Sequence, residues 1–457
     1  MKTLQLKKKI NIWLLCLCII ITTIVPTYAN DPQTPQISKW ALWTLNEGEN
    51  YGIFPMEWYY DGFQEQITTE KLQSLLQGVD HKFASLELKV KKDYIKEPID
   101  NPLTRRGVIE ALFATLAKYE GIEDSSGVDY FKQQGLLSGT KQGLELDSVC
   151  TTQQAVVLAI RFVEHTYKGL DAGAKGFAWQ AKKGGNTVYL LGSIHVGTSE
   201  MYPLSNTLKE AFSKADTLVV EANILTQNEQ MNQFIQMAMY ADGTTIKDHV
   251  SKETYDKLVK VLTTFKLPID QMQQFKPWSI ANDLNVISTS QTGTIEGAQE
   301  AATQGVDMYF LLRGMGEEKR TVELEGLIYQ GKLFDNLSAE YQEDYLNAVL
   351  DSILNPATEE EISEVDLIAE WQQDWIAGDI EGFKASYAKL MEGDSDELSE
   401  MLFGVRDKDM AEKIAKMLEQ EGENTYFVVV GAGHFTVEGT VLDQLKEKGY
   451  DIKPLYK

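Results

Sequence analysis

Two apolar runs of strand length end in the same way. "NTVYLLGSIHVGTS" (186–199) sets Gly192 and His195 directly after its run, and "NTYFVVVGAGHFTV" (424–437) does so with Gly431 and His434. Each run reads as a short buried strand. Between them, "NTLKEAFSKA" (206–215) places Leu208, Ala211 and Phe212 on one helical face, and "DTLVVEAN" (216–223) is a further strand run. Strand, helix and strand within about 35 residues make a βαβ unit, whose strands run parallel. The fold class is therefore α/β, with a parallel-rich sheet interrupted by a helical insertion over 225–420. That insertion holds one more strand, "KRTVELEG" (319–326), and helices expected to start at Ser251 and Ser338 as N-caps.

In a parallel α/β sheet, ligand and catalytic groups collect beyond the carboxyl ends of the strands. His195 and His434 both fall there, and only five histidines occur in 457 residues. The glycine before each is expected to turn the chain sharply and let backbone approach a bound group. Glu221 ends the strand run that follows that of His195 in sequence. Neighbouring strands lie about 4.8 Å apart, so side chains at their ends can reach one ion. Two imidazoles and a carboxylate with an open position for water make a catalytic metal set, and mixed N/O ligands suit Mn, Co or Zn. Glu221 is then a third ligand or the base that takes the water proton. No H-E-x-x-H helix is present. Two further readings stay open: the histidines as general base and acid without metal, and a non-catalytic surface protein that sequesters a peptide signal.

Spacing alone is weak, because "GVDH" (78–81) has the same letters after a helical tract, which makes His81 a surface residue. His165 and His249 are expected to be structural. Glu323 and Glu325 alternate along one strand, and Glu325, at its end, is the better placed for catalysis. Asp307 in "GVDMYFLLRG" is a helix cap or an ion-pair residue, and Arg313 is expected to pair with an acid.

The first 29 residues read as a secretory signal peptide. Lys2, Lys7, Lys8 and Lys9 precede the apolar run 10–25, and Thr27 and Ala29 are small residues at a cleavage site. The expected location is secreted or extracellular. Without Cys16 and Cys18 the only thiol left is Cys150, so no internal disulfide is available. A net charge of −25 argues against nucleic acid and anionic membranes as partners. The acidic run Glu359, Glu360 and Glu361 reads as a solvated helix start.

Residues 30–168 form a helical region with an internal repeat. "YGIFP" and "ITTEKLQSLL" in its first part match "QGLLSG" and "CTTQQAVVLAI" in its last. The Gly/Ala-rich "KGLDAGAKGFA" (168–178) reads as a linker, and the α/β domain is expected over 169–457. The helical region resembles S-layer homology repeats, which implies attachment to cell-wall polysaccharide. Of the Thr-Arg-Ala-Glu-type motif of such repeats, only Thr104-Arg105 remains, and the other two places read "TTEK" and "TTQQ".

Residues from about 175 to 457 resemble the TraB/PrgY/GumN family, which includes the TIKI metalloproteases. The ordered pieces that carry this are "LLGSIHVG", "VVEAN", "YADGTTIKDHVSKETYDKL", "KPWSIANDL", "GVDMYFL", "ELEG" and "VVVGAGHFTVEGTVLDQLKEKGYDI". The resemblance implies an EreA/ChaN-like fold and a divalent-metal-dependent hydrolase, often supported by Mn or Co, that acts on peptide or protein substrates. It also implies His195 and His434 as the motif histidines, Glu221 as the acidic residue, and Glu325 as the later carboxylate. The loop "VGTSEMYPLS" is shorter than the family's usual one, which bears on substrate access.

Overall fold

The computed structural model describes residues 34–456 except 96, 123–124, 140–141, 226–228, 357–362 and 392–396. The expected signal segment with Cys16 and Cys18, and the acidic run at 359–361, lie outside the described residues. Two compact units divide the rest, with Gly173 ending the helical one and Ala174 opening the α/β one. Residues Tyr202–Asn206 belong with the helical unit. No described helix is long and apolar enough to cross a membrane.

In the helical unit, α1 (Thr69–Ala84), α2 (Arg105–Ala117) and α3 (Thr152–Gly169) each start at a capping threonine. Thr68, Thr104 and Thr151 accept hydrogen bonds from the backbone N–H of Lys71, Gly107 and Gln154. At α3 the cap is reciprocal, because Gln154 accepts from the Thr151 N–H. The segments before these helices bond to one another: Ile67 N–H donates to Cys150 O, and Cys150 N–H to Leu103 O. The repeated threonines are thus the hubs of a repeated helix start. Burial pushes the Cys150 thiol up to about 12, so it is an inert core residue.

The α/β unit is built on one six-stranded sheet. Its strands are β1 (Phe177–Lys183), β2 (Asn186–Ser193), β3 (Thr217–Val220), β4 (Arg320–Glu323), β5 (Thr425–Gly431) and β6 (Ile452–Pro454), in the order β4-β3-β5-β2-β1-β6. The strands β4, β3, β5 and β2 are mutually parallel, whereas β1 runs antiparallel to both β2 and β6. The expected linker is shorter than it reads, because Phe177 and Ala178 already pair with Gly192 and Leu191. The turn from β1 to β2 is Gly184-Gly185, with Gly184 at φ +58°, a two-residue hairpin that glycine favours.

One expectation of the βαβ reading changes. β3 does not lie beside β2, because β5 from the far end of the chain occupies the place between them. A crossover fixes the direction of two strands but leaves their adjacency open. The register sets Ser193 of β2 against Gly431 of β5, and Val220 of β3 against Val429. The carboxyl ends of β2, β5 and β3 therefore lie along one edge.

Further helices of this unit include α4 (Asn206–Lys214), α5 (Pro277–Thr289), α6 (Val306–Gly316), α7 (Ala339–Leu354), α8 (Glu364–Ala377), α9 (Ile380–Met391), α10 (Val405–Glu419), α11 (Gly433–Thr436) and α12 (Val441–Glu447). Leu208, Ala211 and Phe212 of α4 are buried. Phe212, Phe310 of α6 and Phe427 of β5 meet with ring centroids 4.8–5.3 Å apart. Burying each such ring is worth about 1.5–3 kcal/mol, and the cluster fixes α6 against the sheet. In the insertion, Ser251 and Ser338 are N-caps, accepting from the N–H of Thr254 and Tyr341.

Thr151→Ala removes one side of the α3 capping box. The expected cost is about 1 kcal/mol, read as a lower denaturant midpoint for the helical unit.

Candidate active site

The loop leaving β2 and the start of α6 touch through bare backbone. A Cβ on Gly305 would lie 2.1 Å from the His195 carbonyl oxygen, and one on Gly197 would lie 1.9 Å from that of Gln304. Two backbone hydrogen bonds join the segments, Val306 N–H to Ile194 O and Gly197 N–H to Ala301 O. This approach carries Asp307, in the first turn of α6, to 2.7 Å from His195 Nδ1. The other Asp307 oxygen accepts from Ser193 Oγ at 2.9 Å. Burial alone would raise the Asp307 carboxyl, but the charge and hydrogen bond of His195 and the bond from Ser193 hold it below the usual range. Of the two roles open to Asp307, the structure selects the ion pair.

His434 is built the same way from the other direction. Its Nδ1 lies 2.9 Å from Asp407 Oδ1, and both side chains are 1% exposed. Asp407 sits in the first turn of α10, where its other oxygen also accepts from Gly404 N–H. An ionised carboxylate only accepts hydrogen bonds, so the bond between His434 and Asp407 puts that ring's proton on Nδ1, and the 2.7 Å approach of Asp307 favours the same tautomer at His195. Whenever such a ring is neutral, Nε2 is its lone-pair nitrogen.

The two glutamates lie within the same unit, but held by a buried cation. Arg406, 1% exposed, donates through Nε and Nη2 to the two oxygens of Glu325 at 2.7 and 2.8 Å. Its Nη2 also reaches Glu221 Oε2 at 3.2 Å. Glu221 Oε1 accepts from Gly431 N–H at 2.7 Å, and Gln330 donates to both glutamates. For Glu325 burial works upward, yet the hydrogen bonds and charge of Arg406 overcome it, with a smaller share from His434, and the carboxyl sits low. Glu323 turns elsewhere and accepts from Asn223 N–H.

Gly192 and Gly431, expected at turns, are instead the ends of extended strands, and neither has a positive φ. Gly192 makes room for its neighbour: a Cβ there would be 3.1 Å from Ala432 Cα. Its carbonyl accepts from Trp375 Nε1 of α8 at 2.8 Å. His81 lies within α1, His249 stacks on Tyr240, and Arg313 pairs with Glu317.

Sequence reasoning passed over Arg406 and Asp407. A signal was present, since Arg406, Asp407, Met410, Ala411, Ile414 and Leu418 are all buried, and that spacing is one helical face. Two charges on the apolar stripe of a helix mark a buried polar function.

As a fit for a divalent ion, the two imidazoles qualify, because metal-ligating histidines characteristically donate their other N–H to a carboxylate. The glutamates do not complete the set in this arrangement, being engaged by Arg406. Among the described residues no group of three or more His, Cys, Asp or Glu side chains is arranged to hold an ion.

Fold and site together define an α/β protein with two aspartate-held histidines at the carboxyl edge of one sheet. The TraB/PrgY/gumN family model matches residues 177–454, more than half of the chain, and the chain belongs to that family. It is similar to the uncharacterized protein YbaP of Escherichia coli K12, 25% identical over 31% of this chain and 50% of YbaP. A protein named metalloprotease TIKI homolog from Amphimedon queenslandica is 23% identical over 59% of each chain. Metalloprotease TIKI1 of Xenopus tropicalis is 43% identical across a short stretch, 10% of this chain and 9% of its own. The chain thus spans about half the length of the first curated relatives it matches. No solved structure matches it significantly.

Replacing Arg406 by Met strands Glu221 and Glu325 as buried, unpaired carboxylates. The expected loss is about 3–5 kcal/mol in urea unfolding, partly recovered when Glu221→Gln and Glu325→Gln are added. A second expectation concerns acid. Asp307 and Glu325 sit below their ordinary values, so the unfolded chain binds more protons as pH falls through about 4. Their contribution is complete above the ordinary carboxylate range and is lost below it. The urea midpoint should drop through that window, and less steeply in Asp307→Asn.

Proposed function

We propose that the α/β unit is a hydrolase that cleaves peptide or protein substrates at the carboxyl edge of its sheet, with His195 and His434 as its working groups. The observation that carries this reading is the pair of Asp–His couples on the ends of adjacent parallel strands. Each aspartate fixes ring orientation and tautomer, and leaves Nε2 as the reactive atom. The kinship with proteins named metalloproteases supports the reaction class.

A divalent ion (Mn, Co or Zn) would be held by Nε2 of His195 and of His434. When bound, such an ion lowers the pKa of its water and polarises a carbonyl. The remaining work falls to the chain's own residues. Asp307 and Asp407 hold the rings, while Glu221 and Arg406 tie the end of β5 to the start of α10. A second reading uses the same couples as general base and acid without metal, and it leaves both glutamates in the hold of Arg406. We also read the chain as exported by its basic, apolar leader, with the helical unit a candidate for contact with cell-wall polysaccharide.

The test is metal analysis and a peptide-library digest of wild type beside His195→Ala and His434→Ala. The expected result is about one bound divalent ion per wild-type chain, and at least about a hundredfold loss of turnover in each variant. Turnover that survives exhaustive chelation selects the metal-free reading. Folded wild type that cleaves no peptide under either condition overturns both.

A further inference from the structure

A concavity lies one residue along the chain from His434, at Phe435. A cavity of about 760 Å³ lies between α9, α12 and the β1–β6 side of the sheet, within the size range of small-molecule pockets. Its position follows from the register. β1 runs antiparallel to β2 and pairs Phe177 with Gly192, so β1 starts where β2 ends. Trp179, two residues further on, faces Pro454 across the β1–β6 pair. From the other side comes Phe435, the residue after His434, with its ring 5.8 Å from that of Trp179. Tyr387 of α9 completes an aromatic lining.

The charges around this lining are unequal. Its two lysines each pair with a lining carboxylate, Lys384 with Glu381 at 3.0 Å and Lys446 with Asp443 at 3.1 Å. Asp379 and Glu438 also line the cavity, both exposed, and neither is ion-paired among the described residues. Asp379 caps α9 by accepting from Gly382 N–H at 2.9 Å. Behind it stands Asp374. One Asp374 oxygen and one Asp379 oxygen each lie 2.9 Å from the point where a Gly382 side chain would begin. The other Asp374 oxygen is buried with no hydrogen-bond partner among the described residues. Burial, with Asp379 and Glu370 nearby, pushes the Asp374 carboxyl up. Negative charge is therefore crowded at the mouth of an aromatic-walled pocket, an arrangement that a cation on an apolar stem relieves through ion pairing and cation–π contact.

We propose that this cavity is a specificity subsite that takes a lysine or arginine side chain of the peptide substrate, held between the Trp179–Phe435–Tyr387 walls and the carboxylates of Asp379 and Glu438. This rests on the reading of the α/β unit as a peptide hydrolase, and it places a basic residue close along the peptide from the bond presented to His434.

The test is binding, kept separate from turnover. Fluorescein-labelled peptides that differ at one position (Lys, Arg, Ala or Glu) are titrated by anisotropy into the full wild-type chain and into D379N/E438Q. Asparagine also caps helices, so α9 should be preserved, and unchanged melting verifies it. Wild type is expected to bind the Lys and Arg peptides at least about tenfold more tightly than the Ala peptide. In the double variant the preference is expected to shrink to less than about threefold. Equal affinities in wild type, or a preference that persists in the variant, overturn the subsite. Lysine amide binding as tightly as the Lys peptide overturns its assignment to a polypeptide. Basic-peptide binding without cleavage sinks only the hydrolase reading, whereas cleavage without the preference sinks only the subsite.

Discussion

Arg406 is the cation on which the site's geometry depends. It is almost fully buried, and it is shared between Glu221 from the end of β3 and Glu325 from just beyond β4. A guanidinium there is tolerable only because its planar fork meets one carboxylate with two bonds and a second with one. The glutamates need it equally, since either would be a buried, uncompensated charge without it. The cluster therefore locks three pieces that are far apart in sequence: two strand ends and the first turn of α10. Because Asp407 is the next residue along, the same lock sets the acceptor for His434.

On the opposite flank the work is done by absence of side chains. Gly197 and Gly305 let two backbones touch, and Asp307 arrives at His195 as a result. The two histidines thus reach the same state by different routes, one through glycine-mediated close approach and one through a buried ion-pair cluster. In each the aspartate holds Nδ1–H, so the chemistry left to the ring is that of Nε2 as a ligand or as a base. Both routes end on the edge formed by β2 and β5. That convergence, more than either motif alone, is what makes hydrolysis the best reading of the site.

Much of this was legible in the sequence, for identifiable reasons. Strand runs, glycines and histidines are local, so β2, β5 and the positions of His195 and His434 at strand ends follow from spacing. The family likewise follows from motifs in order. Three things did not follow. The strand order was hidden because β5 enters the gap between β2 and β3 from more than 200 residues downstream. The role of Gly192 and Gly431 was misread because a glycine can serve packing or a backbone donor as well as a turn. Arg406 and Asp407 were missed because a charged residue on a helix is ordinarily solvated, and only the phase of the apolar stripe in 405–419 marks them as buried. The glutamates were readable as site residues, but their partner was not, so their engagement by an arginine could not be anticipated.

The central claim is that both histidines are held by aspartate at Nδ1, which leaves Nε2 for the proposed chemistry. Nitrogen-15 NMR of the histidine rings at mildly alkaline pH, assigned with His195→Gln and His434→Gln, reads this directly. The account predicts the Nδ1–H tautomer for both rings, and its loss in the matching ring for Asp307→Ala or Asp407→Ala. Finding both rings with the proton on Nε2, indifferent to the aspartates, would contradict it.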